Sequence, residues 1–193
     1  HGNAGFALDR AGYVPLLREA APGHALSVHI LEYPGYGARP GNPSQDALLD
    51  AAAAALDALP PGEPAILLGE SIGSGVAAGL AARAPERVAG LLMVTPFDSL
   101  AAVAKHHYPL LPVGLIMRDQ FPAAEWLQIS RAPAVFFVAG ADDIVPPQFG
   151  RKLHDAYPGP KLLVAAPAAG HNDIVAHLSP DDWRKALGFA LNP

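Results

Sequence analysis

The stretch Leu67 to Gly75 reads LLGESIGSG, an apolar run that ends in glycine, presents Ser71 and restarts at once as a small-residue helix. Gly69-Glu70-Ser71-Ile72-Gly73 fits the pattern G-x-S-x-G between an expected strand and an expected helix. In so tight a turn the serine is strained, with its hydroxyl lifted clear, and small flanking residues let strand and helix nearly touch. The amide of Ile72, in the first turn of the helix, then points to where an oxyanion would form. A serine hydroxyl alone is a poor nucleophile, so it needs a base and a group that orients the base. Two later loops offer them. AVFFVAG is followed by ADDIVPP, with Asp142 and Asp143, and KLLVAA is followed by PAAGHND, with His171. Serine, acid and histidine in that order, each after an expected strand, are the parts of an acyl-transfer site. Either aspartate can orient the histidine while the other caps the next helix. Asp98, after the preceding strand, is a third choice.

Other polar residues have plainer readings. His106 and His107 are adjacent, so on a helix they do not face one way, and no carboxylate cluster matches them as a metal site. His1 is expected to support its own loop, Glu70 to meet the pocket or a neighbouring loop, and Tyr33 and Tyr36 to shape the EYPGYG turn. Leu110, Leu111, Val113, Leu115 and Ile116 suit either an acyl pocket or the core of an insertion. Gly73-Ser74-Gly75…Gly79 resembles a loose dinucleotide loop, but LLMVTPF ends without the acidic residue that would hold a ribose.

To bring such residues together the chain needs a sheet whose strands all end on one edge. Apolar runs at Ala25–Tyr33, Ala65–Gly69, Val88–Thr95, Ala134–Gly140 and Lys161–Ala166 are mostly continuous, as strands covered on both faces require. Helices are expected over Asp9–Ala20, from NPSQ to Leu59, over Ile72–Arg83, and after Pro146-Pro147 and Pro180. In NPSQ, Asn42 is placed to cap, with Pro43 in the first turn and Gln45 reaching back. This alternation predicts a parallel sheet between helix layers in one domain spanning 1–193. Residues 97–131 hold no strand-like run. An insertion there lies over the ligand crevice of an open sheet, as a short lid or pocket wall.

Composition narrows the function further. The 193 residues are 51% hydrophobic and 16% charged, which suits a globular chain with a substantial core. A net charge of −5 with scattered Lys and Arg predicts no basic face for nucleic acid or anionic lipid. The absence of cysteine excludes disulfides and thiolate chemistry. No cofactor or metal is implied.

HGNAG, EYPGYG, GESIGSGVA, TPFDSL, DDIVPPQFGRKL and AGHND, in this order, resemble the α/β-hydrolase superfamily, and most of all its BEM46-like (ABHD-type) branch of small serine hydrolases. The resemblance covers nearly the whole chain. It implies an α/β-hydrolase fold with a triad of Ser71, Asp142 and His171, and oxyanion donors at the amides of Ile72 and Asn3. It also implies hydrolysis of a small-molecule or lipid acyl ester or thioester. Carboxylesterase activity leads, with lysophospholipase or protein deacylase chemistry next and peptidase third. A catalytically silent binding module of the same fold is the alternative from another class.

In that family a strand precedes the HG dipeptide and lies mid-sheet, between the strands expected at Ala25–Tyr33 and Ala65–Gly69. The sequence here begins at HGNAG. Those two runs are then not expected to pair across the gap, since sheet neighbours lie only about 5 Å apart. The sequence is therefore expected to be the carboxyl-terminal part of a longer product. A cytoplasmic domain is the default expectation, and membrane association stays open.

Overall fold

The computed structural model describes residues 1–191. A 3-10 turn at Ala7–Arg10 leads into α1 (Tyr13–Ala20), followed by α2 (Gln45–Asp57), β1 (Ala65–Glu70), α3 (Ile72–Arg83) and β2 (Val88–Val94). Then come α4 (Leu100–His107), α5 (Val113–Ile116), α6 (Ala123–Trp126), β3 (Ala134–Ala139), α7 (Pro147–Ala156), β4 (Lys161–Ala166), α8 (Ile174–His177) and α9 (Pro180–Leu191). The four strands form one parallel sheet in the order β1-β2-β3-β4, with Glu70 beside Val94 and Ala139 beside Ala166. All carboxyl ends therefore share one edge, and the loops that leave it carry Ser71, Asp142 and His171.

The continuous apolar runs are explained by two-sided burial. On β2, Leu92 and Val94 face the core beneath α1 and α9, whereas Leu91 and Met93 face the core with α3 and α7. Phe136 and Phe137 divide in the same way on β3. Both faces are dry, so no polar alternation survives.

Three local expectations are corrected. Ala25–Tyr33 forms no strand. Its Leu26 and Val28 pack with Ile66 and Leu68 against the core, but the segment joins no ladder, and β1 keeps one unpaired edge among the described residues. The helix expected from Asp9 begins instead at Tyr13, which leaves Pro15 in the first turn, where the amide it lacks would have had no partner. Ser44, not Asn42, caps α2 by accepting the Ala47 N–H at 3.2 Å. Gln45 reaches across rather than back, its Oε1 accepting the Phe121 amide at 2.7 Å.

That last bond ties the 97–131 insertion to the body of the protein. Phe97, Phe121, Ala123 and Leu127 anchor it, all essentially fully buried. Its apolar residues from 110 to 116 divide sharply. Val113 is buried, while Leu110, Leu111, Leu115 and Ile116 are exposed, so they form neither the insertion's core nor an enclosed acyl pocket.

Candidate active site

Ser71 sits between β1 and α3 at φ 53° and ψ −118°, a conformation that L-residues adopt only under strain. Its amide donates to the Val94 carbonyl at 2.9 Å, and its carbonyl accepts the Ser74 amide at 2.8 Å and the Ser74 hydroxyl at 2.6 Å. These bonds fix the turn. The glycine at 69 has a direct cause, because a Cβ there would fall 2.2 Å from the Gly73 carbonyl oxygen. Strand and helix touch at that point, as the spacing predicts.

His171 lies on the loop after β4. In the tautomer that satisfies both contacts, its Nδ1–H donates to Asp142 Oδ2 at 2.7 Å, and its Nε2 accepts the Ser71 hydroxyl at 3.0 Å. Residues 100 positions apart in the chain thus meet at one sheet edge. The other carboxylate oxygen, Asp142 Oδ1, accepts the amides of Ile144 at 2.9 Å and Val145 at 2.7 Å, so the orienting group is itself held. The Asp142 side chain is 1% exposed and that of His171 8%.

The acid and histidine loops are bound to each other. Gly140 N–H donates to the Ala166 carbonyl and Ala141 N–H to the Ala169 carbonyl, each at 2.9 Å. A Cβ on Gly140 would meet the Pro167 carbonyl oxygen at 2.5 Å. Of the three aspartates considered, the structure brings Asp142 to His171. Asp143 is exposed, and Asp98 Oδ2 accepts from Lys152 Nζ at 2.5 Å.

The Gly2 segment passes beside the turn, where a Cβ on Gly2 would stand 3.6 Å from Ser71 Cβ. Asn3 is exposed, and its Oδ1 accepts the Tyr36 hydroxyl at 2.5 Å. His1 does support this loop. Its ring is fully buried, 4.5 Å from the Tyr33 ring and 5.1 Å from the Tyr36 ring, with Nε2 3.0 Å from Glu32 Oε1. Burial pushes the Tyr33 phenol above its usual range, so it stays neutral.

One arrangement was not read from the sequence. Arg10 donates to Glu70 through Nε at 2.8 Å and Nη2 at 2.5 Å, a two-point clamp on the residue just before Ser71, and the Tyr13 hydroxyl donates to the same carboxylate at 3.3 Å. Burial, reinforced by the negative Glu70, raises the Tyr13 phenol far above its usual range and keeps it a donor. The available signal was a carboxylate at the end of an apolar run, where partial burial favours a cationic partner. Nothing local pointed to Arg10, 60 positions away.

His106 and His107 hold no metal cluster with other residues among those described. The His106 ring packs against Phe149, and His107 Nε2–H donates to the Ile144 carbonyl at 2.9 Å. A surface recess of about 240 Å³ between α1 and α9 includes none of the residues around Ser71. Among the described residues no helix is long and apolar enough to cross a membrane.

A family model described as the alpha/beta hydrolase fold matches residues 1–112. The uncharacterized protein Rv2307c of Mycobacterium tuberculosis is 40% identical over 178 residues, which cover 90% of this chain and 61% of that protein. The chain thus spans less than two thirds of that relative's length. The alpha/beta hydrolase domain-containing protein aho-3 of Caenorhabditis elegans is 30% identical over 156 residues, covering 78% of this chain and 45% of that one. Among solved structures, a monoacylglycerol lipase of Paleococcus ferrophilus superposes with a TM-score of 0.66 at 20% identity, over 89% of this chain and 84% of that one.

Proposed function

We propose that this chain, which belongs to the α/β-hydrolase family, is a serine hydrolase that cleaves carboxylic ester or thioester bonds through an acyl-enzyme on Ser71. One observation carries the reading: a continuous hydrogen-bonded line runs from Asp142 through His171 to a strained Ser71.

His171 Nε2 takes the Ser71 proton as Oγ attacks the acyl carbon. The carbonyl electron pair moves onto oxygen, which meets the amide of Ile72 and, in this reading, that of Asn3. The tetrahedral species collapses and expels the alcohol or thiol, which leaves with the proton from His171. Water then gives a proton to Nε2 and attacks the acyl carbon, and collapse breaks the acyl–Oγ bond as His171 returns that proton to Oγ, which releases the acid and restores Ser71. Throughout, Asp142 keeps the imidazole in its working tautomer and stabilises the imidazolium.

Within the family, the six motifs support a place in the BEM46-like (ABHD-type) branch. Carboxylesterase activity is the leading form, with lysophospholipase or deacylase activity next. A fluorophosphonate probe is expected to label the wild-type protein and not Ser71→Ala. A wild-type protein that stays unlabelled would replace this reading with a binding module that has lost its chemistry.

A further inference from the structure

We infer that the insertion between β2 and β3 docks the protein on an anionic lipid surface, with the loop around α5 entering the lipid and a basic rim meeting the headgroups. This deepens the esterase reading, on which it rests for its purpose, by placing the substrate's source at a membrane interface.

The first observation is where exposed apolar side chains gather. Leu110 is 96% exposed, Leu115 89%, Ile116 63%, Tyr108 60% and Leu111 51%, all within one ten-residue stretch. Ile144, 48% exposed, joins them through the bond from His107 to its carbonyl. Single exposed leucines need no explanation, whereas a contiguous group of this size marks an interaction surface.

The second observation is charge. The acids of this net-negative chain are absent from residues 99–118, the longest stretch without Asp or Glu in the sequence. Lys105, His106 and His107 precede the apolar group and Arg118 follows it, and all four are exposed. The acids that border the stretch are Asp98, buried and bound to Lys152, and Asp119, bound to the Gln45 amide, while Asp143 is exposed beside Ile144. Lys and Arg are scattered across the whole chain, and the local positive balance here comes from the missing acids. Apolar residues flanked by cations suit a surface with hydrocarbon beneath anionic headgroups. A second protein copy would bring the same positive rim against itself.

The third observation is position and rigidity. The Gln120 side chain donates to the carbonyls of Gly114 and Met117, each at 3.1 Å, which fixes α5 while its Leu115 and Ile116 stay exposed. Ile144 lies two residues past Asp142. The apolar surface therefore lies at the same sheet edge as Asp142 and its partner His171.

The test is sedimentation of the full protein with vesicles of phosphatidylcholine alone and of phosphatidylcholine mixed with phosphatidylserine. Binding is expected to favour the mixed vesicles and to weaken with salt. Leu110→Asn with Leu115→Asn is expected to reduce it at least about tenfold, because each buried leucine contributes strongly to partitioning. Lys105→Glu or Arg118→Glu is expected to reduce it roughly fivefold on mixed vesicles only. Hydrolysis of a water-soluble p-nitrophenyl acetate by the leucine variant should stay at the wild-type level, which shows the variant folded and reads the active site separately. Wild-type protein that ignores both vesicles, a leucine variant that binds as well as wild type, or lipid-free self-association abolished by the same substitutions would each overturn the proposal.

Discussion

Asp142 and Asp143 are neighbours in the chain with opposite surroundings. One is buried with both carboxylate oxygens engaged, the other faces solvent. Asp142→Asn is therefore expected to lower kcat by about a thousandfold or more, because the amide no longer selects the working tautomer, while Asp143→Asn stays near wild type. Steady-state kinetics on a p-nitrophenyl ester separates the two, and equal losses would refute the assignment. At this scale the meeting of Ser71 and His171 was legible, since each lies in the loop that follows a strand-like run. The choice between two adjacent acids was not legible from the residues alone, because one position reverses the direction a side chain takes and only packing sets that direction.

Among the elements, the clamp of Arg10 on Glu70 joins the segment before α1 to the end of β1. Arg10→Ala is expected to free the residue before Ser71 and reduce kcat by roughly tenfold to a hundredfold, with a smaller change in KM, as small displacements of a nucleophile do. An unchanged kcat would reduce the clamp to a surface contact. The start of α9 offers a second test. The Ser179 amide and hydroxyl donate to Asp182 Oδ2, while Ser179 Oγ accepts the Asp182 amide, a reciprocal cap. Those bonds hold the Asp182 carboxyl below its usual range, so its folded-state value lies below its unfolded one. The stabilisation is present above the unfolded value and is lost as pH falls through the depressed folded one. Asp182→Asn should therefore unfold with less pH dependence on the acid side, as followed by circular dichroism. The span of α3 was read to the residue, whereas the starts of α1 and α2 slipped. At Asn42 and Ser44 two good caps compete, and the winner is set by contacts with Asp119 and Phe121 far along the chain.

For the whole molecule, the sheet explains both what could be read and what could not. β2 and β3 are buried on both faces and announce themselves as unbroken apolar runs, while β1 and β4, less deeply buried, were visible from runs of the same kind. Ala25–Tyr33 was read in the same way yet forms no ladder, and it is exposed or half-buried throughout except at Tyr33, its one buried residue. Hydrogen exchange on the 193-residue chain should therefore protect the β2 and β3 amides and leave those of Ala25–Tyr33 fast. Slow exchange there would mean the segment is paired. The turn at Ser71 has a consequence for the molecule as a whole. A backbone held at φ 53° suits glycine better than serine, so Ser71→Gly should unfold at a higher temperature than the native protein while doing no chemistry. If Ser71 is the nucleophile proposed above, any search for hardier variants that reads melting alone will drift toward inert ones.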